Sequence, residues 1–282
     1  MTKNSQIKKA LEFLKLHTNG KMLILPNIWD PIGARVLEAK GFQAAATSSA
    51  AISSSLGFKD GEQIKFTTHL EILKRIANSV NIPVTADIES GYSKGSSGLK
   101  HAVNQIIQTG VAGINIEDSF EKEGSLRHVD QQCERISAIR EVAEDNGLPL
   151  VINARVDCFL SGSNQPNEKI LTETIERANR YIDSGADCVY PIGVLDRQTV
   201  VTLRKEIQAP INILGSHRAI PLKEMQEIGI NRVTFGPFLF RSLLKKFVNI
   251  IEELGNLGSY DCFSKEYYLY DDASVFLRED KE

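Results

Sequence analysis

Short apolar runs recur along the chain and alternate with segments of helical periodicity. The apolar runs predict eight strands, at 22–27, 43–47, 84–89, 113–117, 150–156, 188–192, 211–214 and 232–235. The segments between and after them predict helices, at 31–40, 61–79, 98–109, 130–146, 168–184, 196–208, 221–228 and 237–254. Because the strands are continuously apolar rather than alternating, they indicate a parallel sheet covered by helices.

This eightfold β-then-α order predicts an α/β fold of the (β/α)8 TIM barrel type. A doubly wound open sheet would alternate in the same way, but no G-x-G-x-x-G motif follows the first strand, which favours the barrel. Several predicted helices end in glycine, as the C-cap preference requires, at Gly41, Gly110, Gly147, Gly185 and Gly229. A further amphipathic helix precedes the barrel, with an apolar stripe at Ile7, Ala10, Leu11 and Leu14.

The last 28 residues differ from the rest in composition. No linker or shift in composition divides residues 1–254, which we expect to form one barrel domain. Residues 255–282 form an aromatic tail, with side chains at Tyr260, Phe263, Tyr267, Tyr268, Tyr270 and Phe276. Since so aromatic a segment is rarely left in water, we expect it to pack on its own barrel or on a partner subunit.

Composition excludes several function classes. The 282 residues are 42% hydrophobic and 24% charged, with a net charge of -3, and they contain no basic run interleaved with aromatics. Nucleic-acid and anionic-membrane partners are therefore not expected. The four cysteines form no C-x-x-C pair, which argues against a zinc knuckle or a disulfide framework. The polar N-terminus and the absence of long apolar runs predict a cytoplasmic protein.

The predicted strand 84–89 carries two carboxylates, Asp87 and Glu89, near its carboxyl end. Two residues apart on a strand, they are expected on one face about 6.5 Å apart, where they need a cation, a shared proton or water. Other polar residues follow neighbouring strands, among them Asn27, Asp30, Ser48, Ser49, Asp60, Glu117, Asp118, Asn153, Arg155, Asp157 and His217. In a barrel these strand ends meet at one mouth.

The acids at this mouth predict a metal site. Asp60, Asp87, Glu89 and Glu117 are hard oxygen ligands, so the expected ion is Mg2+ or Mn2+, held partly through waters. Arg155 is suited to grip a substrate carboxylate with two parallel hydrogen bonds. Simpler structural roles compete with these: Ser48 and Ser49 could cap a turn, Asp30 could cap a helix, and Arg155 could pair with Asp157 or Glu117.

Several motifs occur in the order found in a known family. They are Leu25-Pro-Asn-Ile-Trp-Asp30, Ala46-Thr-Ser-Ser49, Leu56-Gly-Phe-Lys-Asp60, Thr85 to Tyr92, Gly113-Ile-Asn-Ile-Glu-Asp118 and Asn153-Ala-Arg-Val-Asp157. Over most of the barrel the chain resembles the isocitrate lyase/phosphoenolpyruvate mutase superfamily. The resemblance implies a barrel whose last helix is swapped between the subunits of a homodimer or homotetramer.

The same resemblance implies roles for individual residues. Asp87 would contact Mg2+ directly, while Asp60, Glu89 and Glu117 would hold the waters of the metal. Ser48, Ser49 and Ala50 would cradle the substrate oxygens and, with Asp87 and Arg155, form the substrate-binding set. The residues expected to carry the reaction are Arg155, Ser48, Glu117 and Lys122.

Departures from the family pattern bear on the substrate. The stretch 119–130 contains no cysteine where isocitrate-type lyases carry their lysine-lysine-cysteine-glycine-histidine gate, and Cys133 follows too late. The phosphonopyruvate-acting members have a gate lysine and an asparagine; Lys122 is a loose match for the first and nothing matches the second. A histidine of those members is Pro191 here, and an aromatic residue is Ala46.

We therefore expect a Mg2+-dependent carbon-carbon lyase or decarboxylase acting through an enolate on a small 2-oxo or 2-hydroxy dicarboxylate. Phosphonopyruvate-type mutase or hydrolase chemistry and hydroxymethyl transfer to a 2-oxo acid are the enzymatic alternatives. A barrel that binds a metabolite without catalysis is the alternative from another class, and the intact set of acids argues against it. A mobile lid at 120–128 is expected to close over the substrate, with Lys122, Arg127 or His128 meeting a second carboxylate.

Overall fold

Parallel strands build the centre of the molecule. The computed structural model describes residues 2–93, 95–119, 125–161, 167–194, 196–256, 258–263 and 270–277. The strands in this part of the chain are β1 Leu23–Leu25, β2 Asn27–Ile28, β3 Ala45–Thr47, β4 Val84–Asp87, β5 Gly113–Glu117, β6 Val151–Val156, β7 Cys188–Pro191, β8 Asn212–Leu214 and β9 Arg232–Thr234. All pairings between them are parallel.

The pairing closes these strands into a barrel. Six strands pair in the order β2 to β7, and three pair in the order β1-β9-β8. A bridge between Val189 and Ile211 joins β7 to β8, and β1 continues directly into β2 through Pro26. The first predicted strand is therefore split in two because proline has no N–H for the ladder. The predicted (β/α)8 TIM barrel is confirmed, since the other seven runs each supply one strand.

Helices surround the barrel in the predicted order. They are α1 Lys3–Thr18, α2 Pro31–Ala39, α3 Ser49–Ser55, α4 Phe66–Ser79, α5 Ser96–Ile107, α6 Val129–Asp145, α7 Cys158–Ser161, α8 Asn167–Asp183, α9 Arg197–Glu206, α10 Leu222–Ile228, α11 Phe238–Gly255 and α12 Tyr270–Ser274, with a 3-10 turn at Asp261–Phe263. The short helices α3 and α7 were not predicted. The prediction was also wrong at residues 61–65, where Gly61 and Glu62 have φ of 95° and 56°, so α4 begins later.

Helix α1 closes the amino-terminal end of the barrel. Phe13 is fully buried, and a Cβ at Gly113 on β5 would lie 2.9 Å from its ring, so glycine makes room for it. Lys9 Nζ donates to the Val80 carbonyl at 2.7 Å. The predicted stripe of α1 was wrong at Leu11, which is 53% exposed. The buried face is rotated and includes His17 instead.

Side chains that point outward from the strands form the apolar core, and those that point inward are largely polar. The outward positions include Ala86, Ile114, Ile152, Val189, Ile213 and Val233. The inward positions, all buried, include Asn27, Thr85, Asn115, Asn153, Asn212, Arg232 and Thr234. Because branched apolar residues usually fill such an interior, this polar filling is a distinctive property of the chain.

Helix α11 contrasts with the other long helices. None of its residues is buried. Large apolar side chains on it remain exposed, at Leu239, Leu243, Leu244, Phe247, Val248 and Ile251. The parts of the tail that can be described differ from one another, since Tyr260 is 78% exposed and Phe276 is buried. Tyr267 and Tyr268 lie outside the described residues. Among the described helices, none combines the length and the apolar character needed to span a bilayer.

Candidate active site

A cavity of about 420 Å³ opens at the carboxyl-terminal end of the barrel. Six of the residues predicted for the site line it, namely Ser48, Ser49, Ala50, Asp60, Asp87 and Arg155. Glu89 and Glu117 do not line it, although both lie within electrostatic reach of Asp87. Lys122 lies outside the described residues. The structure therefore brings together most of the predicted constellation.

Asp87, the last residue of β4, is held by donors on both carboxylate oxygens. Ser49 donates to Oδ2 through its backbone N–H at 3.0 Å and through its hydroxyl at 2.8 Å. Asn115 Nδ2 donates to Oδ1 at 3.0 Å, and Asn153 Nδ2 in turn donates to Asn115 Oδ1 at 2.7 Å. These bonds fix the orientation of the carboxylate, because its donors lie on α3 and β5 and Asn153 on β6 holds Asn115 in place.

The segment 48–50, which follows β3, both begins helix α3 and lines the cavity. Ser48 is the N-cap of α3, and its hydroxyl accepts from the Ala51 N–H at 3.3 Å. Ser48 therefore has the capping role considered from the sequence, although it caps a helix rather than a turn, and the same segment lines the cavity with Ser49 and Ala50. Asp30 likewise caps α2, accepting from the Gly33 N–H at 2.7 Å, and takes no part in the cavity lining.

Glu89 does not lie on the same strand face as Asp87. Strand β4 ends at Asp87, and Glu89 has a φ of 54°, so the alternation assumed for an extended strand does not reach it. Its Oε2 accepts the Gly61 N–H at 2.8 Å, and its Oε1 accepts the Tyr92 hydroxyl at 2.9 Å. The prediction of one shared face was wrong for this reason. Glu89 instead anchors the loop that carries Asp60.

Burial gives Glu89 a strongly perturbed acidity. It is 3% exposed, and burial, with the nearby charges of Asp60 and Asp87, raises the pKa of Glu89 to about 8. The Tyr92 hydroxyl that bonds it also contacts His69 Nδ1 at 2.8 Å. Tyr92 and His69 were not singled out from the sequence, because a helical histidine and a turn tyrosine carry no signal of pairing.

Arg155 is paired with carboxylates of the protein itself. Its Nε and Nη2 donate to the two oxygens of Asp157, each at 2.7 Å, and its Nη1 lies 2.6 Å from Glu117 Oε2. Burial raises the pKa of Glu117 to about 7 even though Arg155 opposes the shift. The guanidinium lines the cavity with its planar fork already occupied, so the structural pairing considered from the sequence is present.

Asp118 supports this arrangement from behind. It is fully buried, and its Oδ1 accepts the Asp157 N–H at 2.9 Å. Its Oδ2 accepts the Tyr181 hydroxyl at 2.7 Å and lies 3.3 Å from Arg177 Nη1. Asp118 therefore positions Asp157, which in turn positions Arg155.

The donor set of the mouth fits a hard divalent cation bound largely through waters. The residue Asp60 lies at the rim and is exposed as a whole, but partial burial of its carboxyl group and the charge of Asp87 raise the pKa of Asp60. Among the described residues, no three His, Cys, Asp or Glu side chains converge as a ready-made metal cage. One direct carboxylate plus water-mediated acids is the arrangement that Mg2+ commonly takes, so the residues present are compatible with it.

The predicted lid is only partly described, since residues 120–124 lie outside the described part. Its far end is anchored: Ser119 pairs with Leu126 in an antiparallel bridge, and the Arg127 N–H donates to the Asp118 carbonyl at 2.8 Å. Arg127 is 5% exposed and does not line the cavity, while His128 caps α6. His217 is exposed in its loop and does not line the cavity.

Sequence reasoning missed a second arginine of the cavity. Arg232, the first residue of β9, is 2% exposed and lines the same cavity as Arg155. The alternation along β9 gives the signal that could have found it, because Arg232 shares the inward face with Thr234.

Comparison with known proteins agrees with the fold. The sequence model of the phosphoenolpyruvate phosphomutase family matches residues 13–255. An uncharacterised protein of Mycobacterium tuberculosis H37Rv is 32% identical over 227 residues, which are 80% of this chain and 82% of the relative. The 2-methylisocitrate lyase of Halalkalibacterium halodurans is 26% identical, with coverage of 91% and 85%. The phosphonopyruvate hydrolase of a Variovorax species is 28% identical, with coverage of 67% and 63%.

Solved structures resemble the whole chain. A protein of Burkholderia cenocepacia J2315, provisionally ascribed a lyase or mutase activity, matches with a TM-score of 0.90 and 28% identity over 98% of each chain. A phosphonopyruvate hydrolase bound to oxalate and Mg2+ shares the fold, with a TM-score of 0.83 and 19% identity over 95% of this chain and 94% of that one. The chain belongs to the phosphoenolpyruvate phosphomutase family of the isocitrate lyase/phosphoenolpyruvate mutase superfamily.

Proposed function

We propose that the protein is a Mg2+-dependent carbon-carbon lyase or decarboxylase that acts on a small 2-oxo or 2-hydroxy dicarboxylate through an enolate. The observation that carries the proposal is the placement of Asp87, Asp60, Arg155 and the segment 48–50 around one cavity at the carboxyl-terminal end of the barrel. The 2-methylisocitrate lyase and the phosphonopyruvate hydrolase among the named relatives support it, since they are enzymes of the same superfamily.

Each residue has a defined part in this proposal. Asp87 would hold the metal, and Asp60 at the rim would accept hydrogen bonds from its waters. When bound, Mg2+ supplies a Lewis acid that withdraws electrons from the substrate oxygens. The hydroxyl and amide groups of Ser48, Ser49 and Ala50 orient those oxygens.

Arg155 provides positive charge at the cavity wall for a carboxylate. Because Asp157 and Glu117 already engage its fork, it contributes mainly as a fixed, preorganised charge rather than as a free clamp. Glu117 and Glu89 act indirectly. Glu117 holds Arg155, and Glu89 holds the loop that bears Asp60.

An NMR assay tests the proposal. Purified protein with Mg2+ would be incubated with oxaloacetate, 2-alkylmalates, isocitrate, methylisocitrate and phosphonopyruvate, and product formation would be followed by 1H and 31P spectra. We expect turnover of one of the dicarboxylates, and no turnover with Asp87→Asn. Consumption of none of the carboxylates by a folded, Mg2+-loaded protein would contradict the proposal.

Cleavage of a carbon-phosphorus bond is the second candidate. The observation that favours it is the 28% identity to a phosphonopyruvate hydrolase. Against it stand Pro191 and Ala46, which occupy positions where phosphonopyruvate-acting members carry a histidine and an aromatic residue. Release of inorganic phosphate from phosphonopyruvate in the same assay would select this alternative.

A further inference from the structure

The cavity continues below Asp87 into the polar interior of the barrel. Thr85 and Asn212 line this lower part together with Arg232. Along β4, Thr85 lies one inward position below Asp87, and along β9, Arg232 lies one inward position below Thr234. The lower part of the cavity is therefore walled by residues that the proposed reaction does not use.

Arg232 has no acidic partner in contact among the described residues. Its Nη1 lies 3.5 Å from His17 Nε2, and its guanidinium lies over the Phe13 ring at 5.8 Å from the centroid. The other neighbours that act on its charge are Cys188 and Tyr190, with Asp87 farther up the cavity. An arginine stays protonated in proteins, so a full positive charge is buried here.

The neighbours of Arg232 are themselves neutral. Burial, together with the charge of Arg232, lowers the pKa of His17 to about 3. Its Nδ1 lies 2.8 Å from the Phe13 carbonyl, which requires that nitrogen to carry the proton and leaves Nε2 as a lone-pair acceptor for Arg232. Burial raises the pKa of the Cys188 thiol to about 12, and burial also raises the pKa of Tyr190. None of these three groups balances the guanidinium.

Two buried hydrogen-bond donors of the lower cavity have no hydrogen-bond partner in the part of the chain that the structure describes. They are Arg232 Nε and the Thr85 hydroxyl, whose residues are 2% and 1% exposed. Buried polar atoms are almost always paired in folded proteins, so each such atom calls for an explanation. The free-energy cost of leaving a buried donor without a hydrogen bond is largest when the donor is charged.

We propose that the lower part of this cavity is a binding site for a small monovalent anion, with Arg232 as the counter-charge and Thr85 as a second donor. Either a free anion or the carboxylate end of a substrate has the required chemistry. A cation is excluded by the charge of Arg232, and a neutral ligand or water would leave that charge unbalanced. The site goes beyond the proposed reaction, because it is defined without the metal.

The arrangement of Asp87 and Arg232 in one cavity also predicts that binding of the metal and binding of the anion each raise the affinity for the other. Asp87 is the carboxylate among the groups that act on the charge of Arg232, and a divalent ion at Asp87 would cancel that attraction. With the metal present, Arg232 is left without any balancing charge in the described part of the chain. Anion affinity is therefore expected to rise when Mg2+ is added.

Thermal unfolding in matched concentrations of sodium formate and sodium bromide, without Mg2+ or turnover, tests the site. We expect wild-type protein to be stabilised in a saturable way, and Arg232→Met to respond with at least tenfold weaker apparent affinity. The matched control is Arg140→Met, since Arg140 is paired with Asp187 outside the cavity and its loss should leave the anion response intact.

A dicarboxylate arm separates the two sources of the anion. Stabilisation by formate or bromide that Arg232→Met loses identifies a free-anion site. Stabilisation by oxaloacetate alone, again lost in Arg232→Met, identifies the substrate carboxylate. Equal responses of wild type and Arg232→Met to every anion would overturn the proposal. Because anion binding is measured by thermal unfolding and not by turnover, the result does not depend on the outcome of the activity assay.

A second variant covers the case in which Arg232→Met does not fold. Thr85→Val keeps the shape of the side chain and removes the unpaired hydroxyl, and we expect it to weaken anion affinity several-fold. Wild-type crystals grown in bromide, and others soaked in oxaloacetate, complete the test. Bromide or carboxylate density within hydrogen-bond distance of Arg232 supports the site. Water alone beside Arg232 in both crystals refutes it.

Discussion

The two ends of the barrel are built in opposite ways. At the amino-terminal end, α1 inserts Phe13 and His17 into the barrel, and the chain completes that end by itself. At the carboxyl-terminal end, Asp60 and Asp87 line a cavity, and the neighbouring α11 has no buried residue. The first end is filled by packed side chains, whereas the second leaves a polar cavity and an exposed apolar helix face.

The pKa values of the buried titratable groups are shifted in opposite directions at the two ends. His17 at the closed end is kept neutral by burial, which lowers its pKa to about 3. Glu89 at the open end has its pKa raised to about 8, because burial and two neighbouring acids oppose its charge. The comparison teaches that burial favours the neutral form of both groups: His17 stays neutral beside the charge of Arg232, whereas a cation near Glu89 would favour its ionised form.

The largest expected effect is the loss of activity in Asp87→Asn. Asparagine keeps the shape of the side chain but removes the charge that Ser49 and Asn115 orient. We expect kcat/KM to fall by about a thousandfold or more, which is about 4 kcal/mol in transition-state stabilisation. Titration calorimetry should show the loss of Mg2+ binding. Equal Mg2+ affinity in the variant and the wild type would contradict the assignment of the carboxyl-terminal end as the metal-binding end.

Stability should respond to pH in opposite directions at the two ends. The lowered pKa of His17 adds stability above its unfolded value of 6.5, and that stability is lost as pH falls toward 3. By linkage, about 2 kcal/mol should disappear between pH 6.5 and pH 5. Urea unfolding of His17→Gln should lack this acid-side loss. A variant as acid-sensitive as the wild type would disprove the assignment.

Glu89 should show the reverse dependence. Its raised pKa gives stability that is complete below 4.5 and is lost as pH rises through about 8. Glu89→Gln should remove this alkaline-side loss from the metal-free protein, again by about 2 kcal/mol between pH 6 and pH 7.5. Adding Mg2+ to the wild type should reduce the loss as well, since a cation favours the ionised form.

The exposed face of α11 predicts association. Leu243, Phe247 and Ile251 are 57%, 59% and 50% exposed and lie on one side of the helix, at spacings of four. We expect a homodimer or homotetramer in which this face and the tail pack on a partner. Light scattering should report an oligomer for the wild type and a smaller species for Phe247→Asp. A monomeric wild type at micromolar concentration would refute the prediction.

How far the sequence predicts the structure differs between the two ends. Periodicity located every strand, because buried parallel strands are continuously apolar, and the glycines at Gly185 and Gly229 marked helix ends with positive φ. The cavity residues Asp87 and Arg155 were found because strand ends meet in a barrel. Glu89 was misplaced because its left-handed φ cannot be read from residue type.

Long-range contacts set the limit of such prediction. Arg232 and His17 are 215 positions apart, and neither has a local pattern that announces their pairing. The pairing of Arg155 with Asp157 was foreseen only as one of two roles, since spacing alone cannot say whether the fork points to a substrate or a neighbour. Local sequence patterns therefore predict the strands and helices well, whereas the pairing of charged side chains inside the barrel depends on the three-dimensional structure.

Arg155→Lys tests whether the open end needs a planar charge. Lysine cannot bond both oxygens of Asp157 and also approach Glu117, so the charge at the cavity wall would be displaced. We expect kcat to fall by about 10- to 100-fold, roughly 1.4 to 2.7 kcal/mol, with little change in Mg2+ affinity. Unchanged kcat would show that Arg155 serves only to hold the fold.

Cys133→Ser should have the smallest effect of all. In isocitrate-type lyases the catalytic acid is a thiol, and Cys133 is the cysteine nearest to the lid in sequence. It lies on α6 instead, where its Sγ donates to the Arg180 carbonyl at 3.7 Å, and it does not line the cavity. Turnover should therefore stay within about threefold of the wild type, less than 1 kcal/mol in barrier. A large loss of kcat with Mg2+ binding intact would contradict this prediction and indicate that the Cys133 thiol acts as the catalytic acid.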